Sequence, residues 1–320
     1  MKHIRQLVEK EFTAVNELII QSLESRIETV NQIGQYIVSS GGKRVRPLVV
    51  LLTAKACRAS TEDAVKMATI IEFIHTATLL HDDVVDGSAL RRGRPTANAV
   101  WDNATAVLVG DFIYSRAFQM IASLNNQEAT EILAETTNVI AEGEVLQLSH
   151  RQQPDISEAQ YLRVIEYKTA KLFEAASLLG CILANKKKSQ QSQLALYGKN
   201  IGIAFQLTDD MLDYQSDNPD WGKNVGDDLA EGKATLPLLY AMKQGSAEVR
   251  ATIREAILSK GAGDLSQIQE AIATTGAIQY TRQIAEQAIH TAKANLECLC
   301  DSPYKQALSD LANFIVTRHT

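Results

Sequence analysis

The chain has 320 residues, 45% of them hydrophobic and 22% charged, the balance of a globular protein with a sizeable core rather than of a disordered or fibrous one. A net charge of −6 argues against general nucleic-acid binding. No apolar run approaches the roughly 18 residues that cross a bilayer, and Cys57, Cys181, Cys298 and Cys300 lack zinc-like spacing.

Nearly every segment carries the helical period. Ile4, Leu7, Val8, Val15, Leu18 and Ile19 form the stripe of a first helix. A second is expected from about Glu24 to Ser39. Gly41-Gly42 then interrupts the chain, and Pro47 suits the first turn of a third helix, Leu48 to about Arg58. The fourth is the clearest: Ser60 is a good N-cap with Asp63 three residues on, and the run to Leu80 is apolar on nearly all sides, as in a central helix. A basic loop, Arg91-Arg92-Gly93-Arg94-Pro95, follows it. Helices are expected over 104–124, 127–148, 157–184 and 189–216, then an irregular stretch over 217–234, then helices over 235–244, 246–258, 264–275, 277–299 and 304–318. No run of period-two strands and no Pro/Gly/Ser linker is found, so one all-α domain over 1–320 is expected. The opening Met1-Lys2-His3-Ile4-Arg5 runs into a charged amphipathic pattern without a signal-peptide core, so a cytoplasmic location with reduced thiols is expected.

Two of these helices end in the same acidic pattern. Asp82-Asp83-Val84-Val85-Asp86 and Asp209-Asp210-Met211-Leu212-Asp213 both read D-D-x-x-D. Spacing of four stacks Asp82 over Asp86 and Asp209 over Asp213, at about 0.2–0.5 kcal/mol of repulsion per pair. Carboxylates at a helix C-terminus face the negative end of its dipole, at about 0.3–1 kcal/mol each. A hard divalent cation reverses the sign of these terms, and Mg²⁺ takes one or two carboxylates, several waters and phosphate oxygens. Solvated helix ends are the plain alternative, which two copies on apolar helices disfavour. Basic clusters stand nearby: Lys43, Arg44 and Arg46; Arg91, Arg92 and Arg94; Lys223 and Lys233. Together they suit a second diphosphate, apart from the one that magnesium would hold. His75, seven residues before Asp82, shares its helical face, although alone it reads more readily as a satisfied core histidine. The P-loop spacing, an EF-hand over 217–228 and a G-x-S-x-G elbow are all absent. The chemistry expected is metal-assisted departure of diphosphate.

The motifs, in order, resemble those of the trans-prenyl diphosphate synthases: Gly41-Gly42-Lys43-Arg44-Val45-Arg46-Pro47, His75, Leu80-His81-Asp82 through Asp86, Arg91-Arg92-Gly93, Lys168-Thr169, Phe205-Gln206-Leu207-Thr208-Asp209 through Asp213, and Gly222-Lys223 through Pro237. The likeness runs from about residue 30 to 320 and implies an isoprenoid synthase-type helical bundle around a central cavity. By matching position, Lys43, Arg46, His75 and Arg92 would bind isopentenyl diphosphate. Asp82, Asp86 and Asp209 would ligate about two to three Mg²⁺ ions on an allylic prenyl diphosphate such as farnesyl diphosphate. Arg91, Lys168, Thr169, Gln206, Lys223 and Lys233 would contact that allylic diphosphate, with Asp82, Asp86, Lys168, Asp209 and Lys223 the catalytic set. Asp83, Asp210 and Asp213 would act from an outer shell. The terminal Arg318-His319-Thr320 is assigned no role.

The resemblance implies a long trans-polyprenyl product of octaprenyl length, supplying a quinone side chain. It further implies a homodimer, with peripheral membrane contact for product release. Small residues at Ala77 and Thr78, where short-chain relatives place aromatic rings, would leave a tail tunnel open; Phe73 and Met120 are candidate floor residues whose plain reading is core packing. A terpene cyclase, which is a lyase, would not need a second diphosphate site. A non-catalytic subunit of a heteromeric synthase would tend to lose the aspartates, and none is lost.

Overall fold

The computed structural model describes residues 1–39, 41–91, 93–215, 226–262 and 264–317. The first expected helix is two: α1 (Lys2–Gln6) and α2 (Glu9–Ser22) part at Leu7, which leaves Ile4 and Val8 buried on either side of the bend. Helix α3 (Glu28–Ser39) leads to α4 (Val45–Cys57), which begins three residues earlier than its sequence suggested. Pro47 still falls in the first turn, where a missing N–H breaks no helical bond. Helix α5 (Thr61–Val85) starts where Ser60 Oγ accepts the Asp63 N–H at 3.4 Å. Met67, Ile70, Ile71, Phe73 and Ile74 along it are at most 1% exposed. Each such side chain contributes about 1.5–3 kcal/mol of burial, so α5 is held from all sides.

Beyond it, β1 (Leu90–Arg91) pairs antiparallel with β2 (Arg94–Pro95), Leu90 opposite Pro95. Strands of two residues leave no period to read, which is why the sequence showed only a loop there. A short α6 (Ala97–Val100) precedes α7 (Asn103–Ser123), capped by Asp102 onto the Thr105 N–H at 2.8 Å, and α8 (Gln127–His150), capped by Asn126 onto Ala129 at 3.0 Å.

The expected single helix over 157–184 is interrupted. A capping box of Ser157 and Gln160 opens α9 (Glu158–Val164); a π-helical turn, Ile165–Ala170, follows; α10 (Lys171–Ile182) completes the run. Helix α11 (Lys188–Gln215) packs along α10, and α12 (Asp227–Ala230), α13 (Leu236–Gln244), α14 (Ala247–Leu258), α15 (Leu265–Thr274), α16 (Ala277–Ala294) and α17 (Pro303–Thr317) follow. The main apolar core is shared by α2, α4, α5, α7, α8, α10, α11 and α17, with a second cluster formed by the end of α11 and α12–α15. The fold is all-α, as expected, and among the described residues no helix is long and apolar enough to cross a membrane.

Candidate active site

The C-terminal halves of α5, α8 and α11 surround one cavity of about 340 Å³. From α5 come His75, Thr78, Asp82 and Asp86; from α11, Phe205, Gln206, Asp209 and Asp210; the π-helical turn contributes Lys168 and Thr169. The two acidic motifs thus share one chamber.

Within each motif the second aspartate is buried and held by protein partners. Asp83 is 4% exposed, and Arg91 Nε and Nη2 both stand 2.7 Å from its Oδ1. Burial pushes its pKa up against the pull of Arg91. Asp210 is 3% exposed; it accepts from the Tyr161 hydroxyl at 2.5 Å and from Gln206 Nε2 at 2.7 Å, while Thr169 Oγ1 donates to Gln206 Oε1 at 2.9 Å. Burial first, then Asp228, raises its pKa to about 7. Asp213 Oδ2 accepts the Asp228 N–H at 3.3 Å and so ties α12 to α11.

The outward aspartates carry cations. Lys168 Nζ lies 3.6 Å from Asp82 Oδ1, 2.5 Å from Glu144 Oε2 and 2.8 Å from Gln147 Oε1. Burial and the neighbouring Asp82 push Glu144 up to about 7 despite Lys168. Asp86 is paired with Arg151 on one oxygen and stands 3.6 Å from Lys233 Nζ on the other. Lys233 also pairs with Glu231 and lies 3.8 Å from Asp228. Burial alone would lower its pKa, and these carboxylates raise it instead. Lys168 is placed by its backbone: a Cβ at Gly143 of α8 would lie 2.6 Å from the Lys168 nitrogen and 2.8 Å from Tyr167 Cβ, so only glycine lets α8 approach the π-helical turn so closely.

A further basic group lines the same chamber. Arg46 Nη1 stands 3.1 Å from His75 Nε2, and its guanidinium lies 4.4 Å from the Phe173 ring centroid. Arginine only donates, so His75 Nε2 is the acceptor. The ring stacking and this hydrogen bond hold the fork toward the chamber.

Most of the expected residues therefore converge: Arg46, His75, Arg91, Lys168, Thr169, Gln206 and Lys233 line the same cavity as Asp82, Asp86 and Asp209. Lys43 does not; it is exposed on its loop, with its carbonyl accepting from Arg5 Nη2 at 3.2 Å. Arg92, Lys223 and Arg318-His319-Thr320 lie outside the described residues. Of the four candidate length residues, Thr78 lines the cavity. Ala77 is fully buried off its wall, Phe73 lines a smaller cavity of about 90 Å³, and Met120 is partly buried against the core. The sequence reading missed Glu144, Gln147, Arg151, Tyr161, Asp228 and Glu231. Glu144 and Gln147 lie three apart on α8, a polar stripe that a helical wheel would have found, whereas Arg151 stands just past the end of that helix and nothing local singles out Tyr161.

Among the described residues no group of three His, Cys, Asp or Glu side chains is placed to hold a metal ion unaided. Asp82, Asp86 and Asp209 nonetheless present hard oxygen donors to one chamber. This set fits Mg²⁺, which completes its shell from water and substrate phosphates rather than from an all-protein cage.

Comparison with known proteins agrees with the chamber's chemistry. A family model described as polyprenyl synthetase matches residues 27–275. Over 319 residues the chain is 50% identical to the octaprenyl diphosphate synthase of Escherichia coli strain K12, covering 99% of each chain. It is 45% identical over 312 residues to the all-trans-nonaprenyl-diphosphate synthase (geranyl-diphosphate specific) of Rhodobacter capsulatus, covering 97% of this chain and 96% of that one. A crystal structure of polyprenyl synthase from Caulobacter crescentus CB15, complexed with calcium and isoprenyl diphosphate, has a TM-score of 0.95 at 41% identity, covering 100% of this chain and 98% of that one. The duplicated acidic motif, its shared chamber and a likeness over the whole length have one common explanation: the chain belongs to the polyprenyl synthetase family.

Proposed function

We propose that this prenyltransferase extends an allylic prenyl diphosphate with isopentenyl diphosphate to a long all-trans product of octaprenyl length. The observation that carries the reading is that aspartates of both D-D-x-x-D motifs and the hydrogen-bonded Arg46–His75 pair line one chamber, which gives it acidic donors for a metal and a further cation for a second anion. A terpene cyclase has no use for that second anion site, and a non-catalytic subunit has no use for intact motifs. The relatives' names support the product class.

Arg46 and His75 bind and orient the diphosphate of isopentenyl diphosphate, with Lys43 and Arg92 assigned to the same anion. Lys168 and Lys233 hold the allylic diphosphate; Thr169, Gln206, Arg91 and Lys223 belong to the same set. Magnesium, held by Asp82, Asp86 and Asp209, would supply Lewis-acid stabilisation of the charge on the leaving diphosphate. The allylic C–O bond breaks with its electron pair going to that diphosphate, where Lys168 and Lys233 stabilise it. The isopentenyl double bond attacks the allylic carbon, and a proton leaves to restore an alkene, with the departed diphosphate as acceptor. Leu79, Ile165 and Phe205 keep water from the cation. One domain over 1–320, a homodimer, a cytoplasmic setting with peripheral membrane contact and a quinone side chain as destination complete the proposal.

The test is chromatography of products from purified protein, farnesyl diphosphate, isopentenyl diphosphate and Mg²⁺. A ladder of linear diphosphates ending near octaprenyl is expected, and Asp209→Asn should lower turnover at least about 100-fold, as loss of one transition-state interaction does. A cyclic hydrocarbon, no consumption of isopentenyl diphosphate, or an Asp209→Asn variant within a few-fold of wild type would overturn it.

A further inference from the structure

Arg151 stands just past the end of α8, where the backbone turns extended at φ −60° and ψ 139°. Its guanidinium donates to Asp86 Oδ1 and, at 3.4 Å, to the Val85 carbonyl. Lys233 Nζ lies 3.6 Å from the other Asp86 oxygen. Both oxygens of this carboxylate thus face a cation, and the two cations share one scaffold. The Gln152 N–H donates to the Gly232 carbonyl at 2.8 Å, and the Gln152 side-chain amide to the Leu258 carbonyl at 2.6 Å. Gln152 (φ +56°) and Gly232 (φ +75°) are both left-handed, and a Cβ on Gly232 would lie 3.0 Å from Gln152 Cγ. Neighbouring backbone therefore fixes where Arg151 can reach.

We propose that Arg151 is the resident counter-ion of Asp86 and competes with the divalent metal for it. Asp86 is largely buried, with Asp228 and Glu231 gathered on the same Lys233. Without a cation on Oδ1 it would depend on Lys233 alone, which Asp228 and Glu231 already share, and a partly uncompensated buried charge is unfavourable. A divalent cation held by Asp86 would repel the guanidinium and favour its departure. A diphosphate in the chamber offers the Arg151 fork a better-matched anion. Metal and diphosphate binding are thereby coupled, and the coupling is reciprocal. This inference rests on reading Asp86 as a metal ligand.

The test measures Mn²⁺ binding to the metal-stripped full chain by the paramagnetic resonance of free Mn²⁺, with folding followed by circular dichroism. Without diphosphate, Arg151→Gln should bind Mn²⁺ about tenfold tighter than wild type, within the usual range of site-to-site coupling. Arg151→Lys keeps the charge but loses the fork, and should lie between the two. Asp86→Asn should bind weakly whether or not Arg151 is replaced. With inorganic diphosphate present, equilibrium dialysis should find wild type and Arg151→Gln retaining equal metal. If both retain metal with diphosphate but Arg151→Gln binds no tighter without it, the counter-ion role is wrong and the metal assignment stands. If Arg151→Lys matches Arg151→Gln, packing rather than charge is responsible and the proposal fails. If neither protein retains Mn²⁺ even with diphosphate, the metal assignment falls and this inference with it.

Discussion

Arg91 has two claims on it. Position in the motif assigns it to the allylic diphosphate, yet two of its nitrogens stand 2.7 Å from the buried Asp83. Truncation leaves that carboxylate without its partner. Breaking a buried pair costs about 3–5 kcal/mol, and the low end applies because the Arg91 side chain is 32% exposed. Arg91→Ala should therefore lose about 3 kcal/mol of stability as well as weakening the allylic substrate. Asp83→Asn removes the charge from the pair, so Arg91→Ala in that background should cost less than half as much. Urea unfolding of the four proteins in the cycle measures this. Equal costs in both backgrounds would mean that Arg91 does not stabilise the fold through the Asp83 charge. Matching position separates Asp83 from Asp82 in the sequence; its burial and its pairing with Arg91 appear only in the structure.

At the scale of elements, the helices and most caps are legible because period and capping chemistry are local. The π-helical turn is not, since the residues Ile165–Ala170 suit an ordinary helix equally well. What allows the bulge is a distant glycine on α8, and tertiary contact of that kind leaves no local trace. Gly143→Ala separates the two effects. Helix propensity alone favours alanine by about 1 kcal/mol. The added methyl, 2.6 Å from the Lys168 nitrogen, forces a backbone shift at about 1–3 kcal/mol. The clash should win. Gly143→Ala should melt lower and, because Lys168 moves with the turn, lose about tenfold or more in kcat from the misplacement. Its circular dichroism should still be helical. A variant that melts higher with unchanged kcat would show that the turn gives way freely.

At the scale of the molecule, the sequence made the chamber's charge visible but not its balance. Carboxylates from α5, α8, α11 and the α12 turn crowd one chamber, and Lys168 and Lys233 reach Asp82, Glu144 and Asp86 from segments far apart in the chain. Such neighbours also explain why Arg151 was missed while Asp82, Asp86 and Asp209 were found: the acidic repeat is a local spelling, and Arg151 meets Asp86 only across 65 residues of chain. Crowding has a consequence for stability. Glu144 is pushed up to about 7 from 4.5, first by burial and then by Asp82. A carboxyl whose folded pKa is raised takes up a proton on folding. Its favourable contribution is complete below about pH 4.5 and is lost as pH rises through 7. Glu144→Gln carries a neutral amide at every pH, so without metal it should gain on wild type as pH rises. From pH 5 to pH 8 the gain should be about 2 kcal/mol, less than the full proton-binding free energy of roughly 1.4 kcal/mol for each tenfold change in proton concentration, because water reaches part of the group. Melting temperatures of both proteins in a chelator across that range read the difference as a few degrees. A constant offset from pH 5 to pH 8 would mean that Glu144 is already ionised against Lys168 at the lower pH, and that this ion pair outweighs burial and the charge of Asp82.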